Sequence, residues 1–327
     1  MHQPKINHVG VAGAGAWGTA LAQAIAQAGR DVTLWAHSTP LVAEINGQRS
    51  NSRFLPDMVL SGRIRAVPGP EDLCGCDAVL LCVPAQSLRR ILSSMSLPRV
   101  PMAVCAKGIE RASGLMMHEV ARTVMPDGVF GLLSGPSFAV EVARGLPCAV
   151  TVAFEDPALA AALCAGLGSS SFRPYASSDV AGVAVGGAVK NVLAIACGIV
   201  EGRGLGESAR AAVMTRGFAE MARFGQALGG QLETMTGLSG FGDLVLTASS
   251  RQSRNFSLGV QLAQGLAVVA PAPLAEGAAT APALVQRARS LGIQMPIAEA
   301  VASIVAGEID VDSAIRALLS RPLKREH

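Results

Sequence analysis

A chain of 327 residues is long enough for two domains, each with its own hydrophobic core. Its 27 basic and 24 acidic residues nearly balance, and it contains no basic tract or aromatic-interleaved basic patch, which excludes nucleic acid as an expected partner. The N-terminus leads directly into a strand-like run without the ordered regions of a signal peptide, so we expect a cytoplasmic protein.

The first predicted elements surround a glycine-rich motif. Residues 6–12 form an apolar run typical of a buried parallel strand, and the motif GAGAWG follows at residues 13–18. In a GxGxxG motif Gly13 permits the tight turn, Gly15 lets the backbone approach a pyrophosphate, and Gly18 allows close helix packing. Because the next residues supply the helix and second strand that the motif requires, we predict a dinucleotide site. The alternative is a glycine-rich turn that binds nothing.

Strand-like and helical runs continue to alternate through the N-terminal half. Further strand-like runs span residues 78–83, 102–106, 131–133 and 149–154. Helical character is clearest between them at residues 115–124 and 157–167. Alternation of this kind predicts an α/β fold with a doubly wound parallel sheet of the Rossmann type.

The end of the second strand bears on the choice of cofactor. NAD-selective sites place a carboxylate there to bind the ribose 2′-hydroxyl, whereas this chain has the sequence WAHS, which includes His37. Since no carboxylate stands there to repel a 2′-phosphate, we expect NADP to be accepted, with His37 near that phosphate. The alternative is that His37 is an ordinary surface residue.

Two later strand ends carry polar residues. Lys107 lies just past the carboxyl end of a strand, where ligands bind in open α/β sheets, although an exposed lysine without a ligand is the alternative. Ser137 lies in a turn that leads into a helix predicted over residues 139–144. Its hydroxyl is a candidate N-cap for that helix, a role compatible with ligand binding.

The second half of the chain has a different pattern. Alternation stops after Tyr175, and stretches rich in alanine and leucine with helical spacing follow, including residues 209–228 and 257–266. We therefore predict a dinucleotide-binding domain over residues 1–175 and a mostly helical domain over residues 176–327.

One lysine interrupts an apolar run at the start of the second half. Between residues 180 and 200, Lys190 and its neighbour Asn191 are the side chains that are neither apolar nor glycine. Burial of an ammonium group is costly and lowers its pKa, which turns a lysine into a usable general base near neutral pH. Lys190 is therefore a catalytic candidate.

Two other interpretations of this run remain open. Its length approaches that of a membrane span, and the chain has a mean hydropathy of +0.40. Four glycines, a central charge and the lack of a second comparable segment argue against a span, so we expect no stable membrane insertion. The other interpretation is a core helix whose lysine reaches the surface, with only its stem buried.

A glycine-rich stretch at residues 236–244 and a polar cluster at residues 249–255 interrupt the helical pattern further on. The cluster combines arginine with hydroxyl and amide groups, a set of donors suited to a phosphate monoester. A solvated loop is the alternative.

The cysteines and histidines do not suggest a metal site. The seven cysteines lie mostly in apolar segments, and an odd count without a CxxC pair indicates free thiols rather than a disulfide framework. Cys74 and Cys76 flank one glycine, which is poor spacing for zinc, and His118 lacks the second histidine of a helical zinc motif. We therefore predict no metal ligands.

Several motifs occur together in a specific order. They are GAGAWGTALA, FLPD, CAKGIE, LSGPSFAVEVA, GGAVKN, GLSGFGDLVLT, SRN and AEGAATA. In this order the chain resembles the NAD(P)-dependent sn-glycerol-3-phosphate dehydrogenases of bacteria, over roughly residues 6–300. The resemblance implies an N-terminal Rossmann domain and an all-α C-terminal domain, with the active site between them.

The resemblance also assigns roles to single residues. Lys190 matches the catalytic lysine, which accepts or donates the proton of the C2 hydroxyl and contacts the substrate, and Lys107 matches a lysine that contacts both cofactor and substrate. The other positions that match substrate contacts are Gly135, Ser137, Asp243, Ser253, Arg254 and Asn255. The other positions that match cofactor contacts are Ala16, Trp17, His37, Ala139, Arg254, Leu274 and Glu276. Serine is frequent in the family where this chain has Ala16, but the backbone N–H remains available.

The reaction that the resemblance implies is hydride transfer between NADP or NAD and C2 of a three-carbon phosphate, supplying sn-glycerol 3-phosphate for phospholipid synthesis. One rival is a two-domain dehydrogenase for a 3-hydroxy acid or for 6-phosphogluconate; a substrate without phosphate has less use for the cluster at residues 253–255. Another rival is a non-catalytic cofactor sensor, in which a buried lysine beside the cleft has no evident role. The apolar helical domain suggests a homodimer.

Overall fold

Eight strands form one sheet within the residues that the computed structural model describes, which are 5–94, 100–266 and 275–322. The strands are β1 (His8–Ala12), β2 (Asp31–Trp35), β3 (Ile64–Val67), β4 (Ala78–Leu81), β5 (Met102–Val104), β6 (Phe130–Ser134), β7 (Cys148–Ala153) and β8 (Phe172–Ser177). Their order is β3-β2-β1-β4-β5-β6-β7-β8, and neighbouring strands are parallel except for the antiparallel pair β6–β7.

Helices cover the sheet and form the second half of the chain. Those of the first half are α1 (Ala16–Gln27), α2 (Thr39–Gln48), α3 (Leu88–Ser93), α4 (Met117–Val124), α5 (Ala139–Ala143) and α6 (Pro157–Leu167). Those of the second half are α7 (Val180–Gly202), α8 (Glu207–Ala227), α9 (Leu232–Thr236), α10 (Asp243–Ala248), α11 (Arg254–Ala263), α12 (Glu276–Ser290), α13 (Pro296–Ala306) and α14 (Val311–Leu319). Short 3₁₀ turns at Pro70–Gly75 and Ala85–Ser87 and a π turn at Leu238–Gly242 complete the described elements.

The predicted α/β class with an additional helical half is confirmed. One apolar core lies between the sheet and helices that include α1, α5 and α6, and a second packs α3 and α4 against the sheet. A third core belongs mainly to the helical half, with α7 at its centre. Helices on both faces of a mostly parallel sheet make the first half doubly wound.

Sequence reasoning did not predict β3, β8 or the antiparallel β6–β7 pair. Both missed strands lie at the edges of the sheet, so they need less apolar character than central strands. Strand β8 contains Pro174, which an edge strand tolerates because one side of it makes no ladder hydrogen bonds. Strand β8 ends at Ser177 and α7 begins at Val180, so only two residues separate the sheet from the helical half.

Helix α7 is the buried centre of the helical half. It is the one helix in the described ranges that is long and apolar enough to cross a membrane, but 94% of its most apolar 18-residue window is buried inside the protein. Gly198 of α7 packs against Gly259 of α11, where a Cβ on Gly259 would lie 2.9 Å from the Gly198 Cα. The apolar character of α7 is therefore accounted for by contacts with its neighbouring helices.

Candidate active site

Lys190 lies on the buried middle of α7, with 9% of its side chain exposed. Its Nζ donates hydrogen bonds to Asp243 Oδ1 at 3.0 Å and to Thr247 Oγ1 at 2.8 Å. A lysine that reached the surface would leave its ammonium in water, so that interpretation of Lys190 is wrong. The ammonium is instead held by two polar groups of α10.

Asp243 is the first residue of α10 and joins two lysines. Its Oδ2 accepts a hydrogen bond from Lys107 Nζ at 2.6 Å, while its Oδ1 accepts from Lys190 Nζ. Thr247, one turn further along α10, donates to Oδ1 at 3.2 Å. With 2% of its side chain exposed, Asp243 is buried but has hydrogen-bond donors at both oxygens.

Lys107 reaches this carboxylate from the loop that follows β5. Its Nζ also donates to the Gly135 carbonyl oxygen at 3.2 Å, and 19% of its side chain is exposed. Gly135 has a φ of +145°, and a Cβ there would lie 2.8 Å from Val150 Cα, so the turn after β6 requires glycine. Ser137 donates to the same carbonyl at 3.0 Å, whereas Phe138 holds the N-cap position of α5, so the N-cap interpretation of Ser137 is wrong.

The electrostatic balance of this cluster favours a lysine that titrates near neutral pH. Burial lowers the pKa of Lys190 to about 8, an effect that the charges of Lys107 and Arg254 strengthen and that of Asp243 opposes. Burial alone would raise the pKa of Asp243, but the two lysines outweigh it and hold that pKa below its usual value. Asp243 is therefore ionised between the two lysines.

The predicted phosphate cluster is partly buried. Ser253 is the N-cap of α11, where its Oγ accepts from the Phe256 N–H at 3.2 Å, and Arg254 is exposed at the first position of that helix. Asn255 is buried and donates from Nδ2 to Asn191 Oδ1 at 2.9 Å, while its Oδ1 accepts from the Gly277 N–H at 2.9 Å. The interpretation of this cluster as a fully solvated loop is wrong for Ser253 and Asn255.

The glycine-rich motif and its surroundings fit a dinucleotide. Gly13 has a φ of +113° and packs against Cys82, whereas a Cβ on Gly15 would meet no heavy atom within 4 Å, which leaves the backbone there open to a ligand. Glu276 accepts from the Ala85 N–H at 3.1 Å through Oε1, while its Oε2 and Trp17 Nε1 are buried without a hydrogen-bond partner in the described residues. Burial raises the pKa of Glu276. These polar atoms suit the ribose and amide groups of such a cofactor.

The remaining predicted cofactor positions differ in how the structure places them. Ala16 and Ala139 are the first residues of α1 and α5, so their N–H groups belong to unpaired first turns. His37 is exposed two residues beyond the end of β2. Leu274 lies outside the described residues.

Two residues of the site escaped sequence reasoning. Thr247 lies one helical turn after Asp243 in the sequence DLVLT, and this spacing would have placed both side chains on one face of a helix. Thr280 lies one turn after Glu276 on α12; its buried Oγ1 lacks a partner in the described residues and would be 2.9 Å from a Cβ on Gly108. Each of these threonines lies four residues after a site residue that was predicted from the sequence.

A dinucleotide-binding sheet joined to a helical half, with two lysines and one carboxylate at their junction, defines a two-domain, dinucleotide-dependent dehydrogenase. Residues 8–160 match the family described as NAD-dependent glycerol-3-phosphate dehydrogenase N-terminus, and residues 179–316 match the corresponding C-terminus family. The chain belongs to the NAD-dependent glycerol-3-phosphate dehydrogenase family.

Relatives of the chain span nearly its whole length. It is 55% identical to a glycerol-3-phosphate dehydrogenase [NAD(P)+] of Methylobacterium radiotolerans, over 97% of this chain and 98% of that one. It is 51% identical to the protein of the same name from Maricaulis maris, with the same coverage. The crystal structure of glycerol-3-phosphate dehydrogenase from Coxiella burnetii superposes with a TM-score of 0.89 at 34% identity, covering 97% of this chain and 99% of that one.

Proposed function

We propose that the protein interconverts sn-glycerol 3-phosphate and dihydroxyacetone phosphate with NAD(P)H. The observation that carries this proposal is the pair of lysines that share Asp243 where the helical half meets the carboxyl ends of the sheet strands. When bound, the nicotinamide supplies or accepts the hydride that is exchanged with C2 of the substrate. The protein itself supplies a proton acceptor, fixed charges and alignment.

Lys190 is the proton acceptor for the C2 hydroxyl in oxidation and the proton donor in reduction. A neutral amine has two N–H groups, and Asp243 Oδ1 and Thr247 Oγ1 accept both of them. The lone pair of the neutral nitrogen is then free to accept the proton of the C2 hydroxyl. In the ammonium form the third N–H points in the same direction and can return that proton. A pKa of about 8 keeps both forms populated near neutral pH.

Lys107 is the second cation and stabilises negative charge that develops on the C2 oxygen. Two of its three N–H groups are donated to Asp243 and to the Gly135 carbonyl, which leaves one for the substrate. Asp243 orients both ammonium groups: its Oδ1 accepts from Lys190 and Thr247 and its Oδ2 accepts from Lys107, which leaves one acceptor position on Oδ2 for a substrate hydroxyl.

Residues at the start of α11 bind the phosphate of the substrate. Arg254 offers an exposed guanidinium, and the Ser253 hydroxyl still has its own O–H to donate after accepting from Phe256. Asn255 has one Nδ2 hydrogen left after its bond to Asn191, so it contributes less to the phosphate than Arg254 does. Binding of the phosphate holds C2 close to Lys190, so the binding energy of a group that does not react serves to orient the group that does.

The cofactor is held by the glycine-rich motif, with Ala16, Trp17, Lys107, Ala139, Arg254 and Glu276 as further contacts. We propose that His37 accommodates the 2′-phosphate, so that NADP is accepted besides NAD. Leu274 is a proposed cofactor contact only because of the resemblance to the family.

The direct test follows absorbance at 340 nm with dihydroxyacetone phosphate and NADPH or NADH. We expect turnover by the wild-type enzyme, none by Lys190→Ala, and unchanged cofactor affinity in that variant by fluorescence titration. Lys5→Ala is the matched control, because Lys5 is exposed and precedes β1, at the opposite end of that strand from the glycine-rich motif. Turnover of Lys190→Ala at the wild-type rate, or a wild-type enzyme that reduces only substrates without phosphate, would refute the proposal.

The cellular role is also a proposal. We infer that the protein acts in the cytoplasm and supplies sn-glycerol 3-phosphate for phospholipid synthesis, which follows from the activity proposed above. Restored growth without glycerol in a bacterium that lacks this activity tests that role. The homodimer stays a prediction that sedimentation velocity checks.

A further inference from the structure

The loop that carries Lys107 is built into the helical half of the molecule. Residues 107–116 connect β5 with α4, and Ile109 and Met116 form a bridge within this segment. Both side chains are almost fully buried, and they belong to the core formed by α7 and its neighbours rather than to a core of the sheet. The position of Lys107 therefore depends partly on contacts between the two halves, beside the Arg89–Glu110 pair that holds the same segment to α3 of the sheet half.

Arg287 of α12 makes the charged contact at the far end of this segment. Its Nη1 donates to Glu119 Oε2 at 2.6 Å and to the Gly114 carbonyl at 2.7 Å, while its Nη2 donates to Glu119 Oε1 at 2.8 Å. Glu119 lies on α4, and its Oε2 also accepts from the Met116 N–H at 2.7 Å. One guanidinium thus fixes the segment through a carbonyl and through the carboxylate that caps α4.

The Arg287–Glu119 pair is partly buried and has a bidentate geometry. Side-chain exposure is 18% for Arg287 and 31% for Glu119, and both carboxylate oxygens accept from the guanidinium. Burial alone would raise the pKa of Glu119, but hydrogen bonds from Arg287 and Met116 hold it below its usual value, so Glu119 stays ionised. Bidentate, partly buried pairs of this kind constrain geometry more than exposed single contacts do.

We propose that Arg287 is a positioning residue, which clamps the 107–116 segment to the helical half so that Lys107 reaches Asp243. This inference rests on the proposed function, in which Lys107 stabilises charge on the substrate. Among ion pairs between described residues, Lys107–Asp243 and Arg287–Glu119 both join the sheet half to the helical half, one at each end of the same segment. Loss of the second pair loosens the segment that carries the first.

The expected kinetic signature separates positioning from cofactor binding. In Arg287→Met the segment relaxes, and a misplacement of about 1 Å at Lys107 lowers kcat on the order of 10- to 100-fold. The glycine-rich motif lies outside the 107–116 segment and Lys107 is one of several proposed cofactor contacts, so the cofactor affinity falls by a smaller factor than kcat does. Arg287→Lys keeps the charge but not the fork that serves Glu119 and Gly114 together, so its kcat falls between wild type and Arg287→Met.

A pH profile gives a second signature. The charged groups that act on Lys190 are Asp243 from α10, Lys107 from the clamped segment and Arg254 from α11. When Lys107 moves away, its repulsion of Lys190 weakens and the pKa of Lys190 rises. The acid limb of the kcat profile for glycerol 3-phosphate oxidation then shifts to higher pH in Arg287→Met.

Arg203→Met is the matched control, because Arg203 forms a 3.0 Å ion pair with Asp312 inside the helical half. Amide hydrogen exchange of residues 107–116 tests the clamp without any turnover, and we expect faster exchange in Arg287→Met but not in Arg203→Met. Unchanged exchange together with wild-type kcat in Arg287→Met would overturn the inference. A wild-type enzyme without turnover would instead refute the proposed function, while faster exchange in Arg287→Met would still support the clamp.

Discussion

Replacement of Lys190 by methionine separates the stability of the fold from the chemistry of the site. In the folded chain the pKa of Lys190 is lowered from 10.5 to about 8, with burial as the largest cause. A shift of this size opposes folding by about 3 kcal/mol at pH values below 8, at about 1.4 kcal/mol for each pKa unit. Methionine fills a similar volume without a charge, so Lys190→Met removes this opposing free energy and abolishes turnover.

The pH dependence of this effect has a definite sign. Because folding lowers the pKa of Lys190, the unfolded chain binds more protons between pH 8 and 10.5, and the wild-type fold gains stability as the pH rises through that window. Lys190→Met lacks this gain. The difference in free energy of unfolding between variant and wild type should therefore shrink by about 3 kcal/mol from pH 7 to pH 10.5.

Urea unfolding followed by circular dichroism at several pH values measures this difference. At pH 7 the loss of the Lys190 hydrogen bonds to Asp243 and Thr247 cancels about 1–3 kcal/mol of the stabilisation expected for Lys190→Met. This loss does not depend on pH, so it does not alter how the difference in free energy of unfolding changes with pH. Lys5→Met serves as the control for a change of charge at the surface. A difference between Lys190→Met and wild type that does not vary with pH would refute the assignment of a lowered pKa to Lys190.

Three further substitutions test other parts of the site. Thr247→Val removes the hydroxyl between Lys190 and Asp243, so kcat should fall by about tenfold with unchanged cofactor affinity, and Thr247→Ser should recover most of it. Glu276→Ala should raise the cofactor dissociation constant by about tenfold in a fluorescence titration, because a partner of the ribose is lost. His37→Glu should raise the KM for NADPH much more than that for NADH, measured at 340 nm.

The local sequence pattern indicated much of the fold and the burial of Lys190 in the site. The GxGxxG motif between two strands predicted the sheet half, and the apolar run around Lys190 left a buried ammonium as one of the open interpretations, which the structure confirms. Strand β8 was missed because polar residues and Pro174 obscure the pattern of an edge strand. Edge strands carry a weaker apolar signal, since one side of the strand is not paired.

The contacts between residues of the site could not be predicted from the local sequence pattern. Lys107 and Asp243 are 136 residues apart in the chain, and Lys190 and Asp243 are 53 apart, so only tertiary packing brings them together. Motif matching proposed these residues, but their spacing in sequence did not reveal that Asp243 serves both lysines. The same holds for Arg287, whose partner Glu119 is 168 residues away.

The close contact between α7 and α11 sets the distance between two of the proposed site residues. Lys190 stands on α7 and Arg254 begins α11, so the separation of these helices fixes how far the proposed proton-transfer group lies from the proposed phosphate-binding residue. Gly198 permits this separation, because a Cβ there would collide with the Phe256 carbonyl near the start of α11. An alanine at this position would push α11 away from α7, so we expect Gly198→Ala to change the distance between Lys190 and the proposed phosphate-binding residue Arg254.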